Sequence, residues 1–160
     1  MSLNAPRAEH INPFLKATID SFTTMVHMTP QPGKPYINRG NGVHYDVSGV
    51  IGLSGEAKGS IVISFPRVTA LKVVSSFLGE KVMSLNDEVS DAIGELANII
   101  AGAAKKDLTD FKINISLPTV IIGQNHNIVE PKDVMCMVVP FKCEGGDFDL
   151  AVNLKSNSEP

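Results

Sequence analysis

The chain has 160 residues, 43% hydrophobic and 19% charged, enough apolar material for one ordinary domain and too little length for two. A net charge of −3 gives no basic field to draw it to nucleic acid or to an anionic membrane surface, and no apolar run reaches the roughly 18 residues of a membrane span. Cys136 and Cys143 are too few for a disulfide framework and, as C-x6-C without a nearby histidine, poorly spaced for a metal, so they read as buried or half-buried thiols of a cytoplasmic protein.

Residues 1–10 hold no signal-peptide hydrophobic region and read as a flexible leader to a single domain over 11–155. Asn12-Pro13 suits a helix start, because the Asn side chain can accept from a free backbone N–H and proline fits the first helical position. Leu15, Ile19, Phe22 and Val26 then recur at helical spacing, which predicts a helix from about Pro13 to Met28. Pro30, Pro32, Gly33, Pro35 and Gly40 make Thr29 to Asn41 a loop or an irregular edge. Gly49 to Gly55 and Lys58 to Phe65 are rich in Val and Ile around a tight Gly55-Glu56 turn and predict a β-hairpin. Pro66 ends it, and Val68, Leu71, Val74 and Leu78 give a short helix that Gly79 caps.

A longer helix is predicted from about Asp87 to Asp110, with acidic residues at its start and Lys105 and Lys106 near its end, both favourable against the helix dipole. Strand periodicity follows: Ile113, Ile115 and Leu117 alternate with Asn114 and Ser116, Val120 to Ile122 continue past Pro118, and Val134 to Cys143 is again extended. Gly145-Gly146 turns the chain into the alternating Phe148, Leu150, Val152 and Leu154, and residues 156–160 read as a frayed tail. The expected fold is α+β, two long helices and a short one on a mainly antiparallel sheet. The element order also hints at a duplicated helix-plus-strands unit, although no residue-level repeat joins the halves.

On the long helix a step of about 100° per residue gathers Val89, Ile93, Leu96, Ile100 and Ala103 on one apolar face. Asp91, Glu95, Asn98 and Gly102 line up opposite as a ridge facing solvent, bordered by Gly94 and Lys105. A polar outer face is what any amphipathic helix shows. Two interior glycines, each costing about 1 kcal/mol relative to alanine, suggest in addition that something approaches closely.

The pattern Asp91-x3-Glu95-x2-Asn98, set within Ile93-Gly94-Glu95-Leu96-Ala97-Asn98-Ile99-Ile100-Ala101-Gly102-Ala103-Ala104-Lys105, resembles the active helix of the CheC/CheX/FliY chemotaxis phosphatases. Those proteins carry D/S-x3-E-x2-N on a solvent-facing helix. Ile11-Asn12-Pro13-Phe14-Leu15 is similar to the opening of the CheX type, and the first helix lacks a second Glu-x2-Asn pair, which favours that single-site type. Pro118 occupies a place comparable to a proline that follows the active helix, at a shorter spacing, and no function is assigned to it.

The resemblance implies a cytoplasmic homodimer that removes the aspartyl phosphate from a CheY-like response regulator. Asn98 and Glu95 would be its catalytic pair, Asn98 orienting the attacking water and Glu95 pairing with the receiver's lysine. Asp91, Gly94, Gly102 and Lys105 would contact the partner, the glycines by letting the receiver approach the helix backbone. It implies no cofactor or metal of the chain's own, with Mg2+ expected on the response regulator. The rival readings are an adaptor that binds the phosphorylated regulator without hydrolysis and a structural dimerisation module. His10, His27, His44 and His126 form no H-E-x-x-H arrangement and read as ordinary residues, and no nucleotide loop or nucleophile elbow is present.

Overall fold

The structure, a computed structural model, describes residues 8–39, 42–124, 126–128 and 135–157. In chain order these form α1 (Ala8–Ser21), a π-helical turn (Phe22–Val26), β1 (Gln31–Pro32), β2 (Tyr36–Arg39), β3 (Gly42–Val43), β4 (Val47–Gly55) and β5 (Ala57–Phe65). Then come α2 (Arg67–Leu78), α3 (Asp87–Asp107), β6 (Ile113–Ile115), β7 (Thr119–Ile122), β8 (Asn127–Ile128), β9 (Met135–Cys143) and β10 (Gly146–Ser156).

The first helix begins at Ala8 rather than at Pro13, so residues 8–10 belong to the fold and not to a leader; residues 1–7 lie outside the described residues. The reason is tertiary. His10 and Ile11 are buried, His10 Nε2 is hydrogen-bonded to the Asp110 carboxylate at 3.0 Å, and its ring packs 4.8 Å from Phe111. These contacts outweigh the backbone hydrogen bond that Pro13, now inside the helix, cannot donate. The helix loosens into its π turn beside Thr18, Thr23 and Thr24, whose hydroxyls donate to carbonyls four residues back at 2.8 Å, and it stops at His27 with φ 62°.

One antiparallel sheet runs β1-β9-β10-β5-β4-β6, with β2 also on β9 and β7 also on β4. Its centre is β5 against β10, in the register Ile63 opposite Leu150. Each of these belongs to a hairpin, β4–β5 or β9–β10, and each hairpin takes its outer edge from short strands of the other half of the chain. The order helix, edge strands, hairpin therefore occurs twice, with edges exchanged. The Pro-rich segment expected as a loop or irregular edge supplies β1 and β2, where proline is tolerated because the outer side of an edge strand has no partner. The tail is ordered further than expected: Ser156 still pairs with Ala57, and residues 158–160 lie outside the described residues.

Helices cover one face. Between them and the sheet, Phe148 stacks with Phe22 at 4.7 Å and Phe141 at 4.9 Å, and Phe65 tilts against it at 5.2 Å, all four rings fully buried. α2 is capped by Gly79 in the left-handed region as predicted, but it buries Thr69, Ala70, Val73 and Val74 and leaves Val68 58% exposed. Thr69 sets that rotation: Gly146, at φ 129°, sits so close that a Cβ there would lie within 2.4 Å of the Thr69 hydroxyl. On the other face Val62, Val138 and Ala151 form a small second cluster with Val50 and Ile128.

Candidate functional site

α3 is fixed at its start by Asn86, whose side chain accepts from the Val89 N–H at 3.0 Å, and Asp87 and Glu88 occupy the first turn. It ends at Asp107, three residues before the predicted limit, because buried Leu108 turns the chain toward the core. Val89, Ile93, Leu96 and Ile100 are buried as the period requires, while Ala104 rather than Ala103 completes the buried face. Gly49 of β4 makes the close seat: a Cβ there would lie 3.1 Å from Ala97 and 3.2 Å from Ile93. The helix is thereby held rigidly on the sheet, and its outer face with it.

Asp91, Glu95 and Asn98 are exposed on that outer face, separated along the axis by about 6 Å and about 4.5 Å. Among the described residues neither Glu95 nor Asn98 has a hydrogen-bond or ion-pair partner, so both end groups are available to another molecule. Lys105 is exposed two turns beyond, and Gly102, half-buried, has nothing within 4 Å of where a Cβ would stand. Gly94 departs from the expectation that it admits a partner. It is buried under the chain's own Pro118 and Val120, each with an atom 3.4 Å from its notional Cβ.

Pro118, to which the sequence assigns no function, stands beside the ridge. With Ser90, Asp91, Gly94, Glu95 and Val120 it lines a groove of about 320 Å3 along the ridge. Its sequence signals are a proline interrupting an apolar run and a place after the long helix comparable to that of a family proline, and neither says what the ring packs against. A larger groove of about 780 Å3 runs along α2 from Arg67 to Met83, but it converges no catalytic groups and lies apart from the ridge.

The ridge offers a carboxylate and a carboxamide one turn apart on a rigid, solvent-facing support. That pair can accept and donate hydrogen bonds and can dock a cation, and contains no strong nucleophile. The histidines stand elsewhere, and His126 bonds Ser48 Oγ at 2.7 Å and the Gly123 carbonyl at 2.9 Å, and stacks on His44, whose pKa is lowered by burial and by His126. Among the described residues Glu9, His10 and Asp110 bring ligand-type atoms within 4.8 Å of one another, where α1 begins and off the ridge. Cys136 is buried and Cys143 half-buried, and the two form no disulfide with each other. No helix among the described residues is long and apolar enough to cross a membrane.

Residues 47–142 match the family described as chemotaxis phosphatase CheX. The CheY-P phosphatase CheX of Thermotoga maritima is 31% identical over 152 residues, covering 93% of this chain and 97% of that protein. The crystal structure of a CheC-like superfamily protein from Shewanella sp. PV-4 superposes with a TM-score of 0.87 at 34% identity, covering 94% of this chain and all of the other (100%). The CheX–CheY–BeF3–Mg2+ complex from Borrelia burgdorferi contains a chain similar to this one at 27% identity and TM-score 0.73, covering 94% of this chain and 100% of that one.

Proposed function

The chain belongs to the CheX family of chemotaxis phosphatases, and we propose that it removes the aspartyl phosphate of a CheY-like response regulator, with Asn98 orienting the attacking water and Glu95 docking the receiver. The observation that carries this reading is the display of Glu95 and Asn98 on one exposed helix face, unengaged by any described residue.

An aspartyl phosphate is an acyl phosphate, already activated, and its hydrolysis needs a water in line with the bond that breaks. Geometry is therefore most of what the phosphatase must supply. The Asn98 carboxamide can accept from the water through its carbonyl oxygen and donate from its NH2 to a phosphoryl oxygen, holding the water at the phosphorus without acting as a strong base. Glu95, one turn earlier, pairs with the receiver's active-site lysine and sets the register of the helix. Asp91 and Lys105 lie at either end of the ridge as rim contacts, and Gly102 leaves the backbone open to the receiver. Mg2+ belongs to the receiver. The chain acts in the cytoplasm as a homodimer, an assembly that sedimentation equilibrium checks.

The test is the lifetime of a phosphorylated CheY-like receiver from the same organism, with and without the protein. Faster loss of phosphate supports the reading; tight binding without faster loss makes the protein an adaptor, and neither effect with any of the organism's receivers rejects the function.

A further inference from the structure

β6 and β7 pair with successive parts of β4 in registers that differ by one residue. Leu53 stands opposite Ile115 and Val50 opposite Thr119, so Ile51 and Gly52 are faced by Ser116, Leu117 and Pro118. Two residues opposed by three make a β-bulge, which reverses the side-chain alternation beyond it. Ile113 and Ile115 turn toward the core before the bulge, and Pro118 and Val120 turn toward α3 after it. Leu117 is the residue expelled. The alternation that places it with Ile113 and Ile115 fails, and it stands 88% exposed, more than any other large hydrophobic among the described residues.

A lone exposed leucine needs no explanation by itself. This one is held in place. The Ser116 N–H donates to the Gly52 carbonyl at 2.9 Å, the Gly52 N–H donates to Ser116 Oγ at 2.8 Å, and that hydroxyl donates to the Leu117 carbonyl at 2.8 Å. On its other side Pro118 is packed against Gly94 and lines the groove shared with Asp91 and Glu95. A rigid bulge thus holds an exposed apolar side chain one residue before the proline that lines the ridge groove, and a group ordered beforehand loses little freedom when it is covered.

We propose that Leu117 is an apolar anchor of the docking surface, buried by the phosphorylated CheY-like receiver when Glu95 and Asn98 engage it. This rests on the phosphatase reading above and adds to it a binding residue outside the helix. Leu117 acts on binding and not on the water, so its loss weakens the encounter and spares turnover.

The experiment measures dephosphorylation at varied receiver concentration for the wild type, Leu117→Ser, Leu117→Met and Asn98→Ala, with thermal melting of each. Leu117→Ser should raise KM about tenfold with kcat within about twofold, and Leu117→Met should restore KM to within about threefold of wild type. Melting should not change, because the side chain touches little of its own chain. An unchanged KM in Leu117→Ser, or a fall confined to kcat, beside an active wild type and an inactive Asn98→Ala, overturns this inference and leaves the phosphatase reading standing. A wild type that does not shorten the receiver's phosphorylated lifetime overturns both.

Discussion

Gly94 and Pro118 close on each other across the ridge groove, the proline Cγ standing 3.4 Å from where a glycine Cβ would be, with Val120 Cγ2 at the same distance. The contact joins the helix that carries Glu95 to the bulge that carries Leu117, so one side of the site is set against the other. It also assigns the two glycines of α3 different duties, one packed inside the chain and one open to whatever docks.

For Gly94 the space admits one methyl group at ordinary van der Waals distance and no more. Gly94→Ala should raise stability by about 1 kcal/mol, a gain of about 2–4 °C in melting temperature, and keep phosphatase activity. Gly94→Val should melt below wild type, because its branches meet Pro118 and Val120. Thermal denaturation of the pair decides it.

Gly102 should behave in the opposite way. With nothing within 4 Å of its notional Cβ, Gly102→Gln should fold at least as stably as wild type and, if the proposed docking face is right, bind the phosphorylated receiver several-fold more weakly, because the added side chain would stand in its path. Titration of receiver binding by fluorescence anisotropy, with melting as the control, separates this from unfolding.

Asp149 supplies a pH dependence. It is half-buried on β10, and burial, with a smaller push from Asp147, raises its pKa to about 6. The folded state therefore holds a proton that the unfolded chain, titrating near 3.9, gives up, so this group's contribution is fully present below about pH 4 and is lost as pH rises through about 6. Asp149→Asn should melt higher than wild type at neutral pH, and the difference should vanish below about pH 4.

Gly59 marks the tightest crossing in the sheet, where a Cβ would fall on the Asn153 carbonyl oxygen within 1.9 Å. A backbone carbonyl in the central pair β5–β10 cannot step aside cheaply, so Gly59→Ala should cost about 1–3 kcal/mol in urea denaturation.

Legibility in the sequence followed how local the cause was. The β4–β5 hairpin, the Gly79 cap and the period of α3 are written in neighbouring residues, and the alignment of Asp91, Glu95 and Asn98 needs only the helical step. The start of α1 was missed because it depends on His10 meeting Asp110, far along the chain. The buried face of α2 depends on Gly146 crossing Thr69, and the place of Leu117 depends on a register shift against β4 that alternation within one strand cannot show. Gly94 looked like an opening for the same reason, since its cover arrives from a strand more than twenty residues later. The ridge was readable, and the wall beside it was not.

The role of Asn98 is tested most directly by single-turnover dephosphorylation of a saturating complex with the receiver, comparing wild type, Glu95→Ala and Asn98→Ala, with affinity for the beryllofluoride-activated receiver measured in parallel. Asn98→Ala should lose at least about a hundredfold in rate while retaining binding within a few-fold, and Glu95→Ala should lose binding as well. Asn98→Ala dephosphorylating at the wild-type rate would contradict that role.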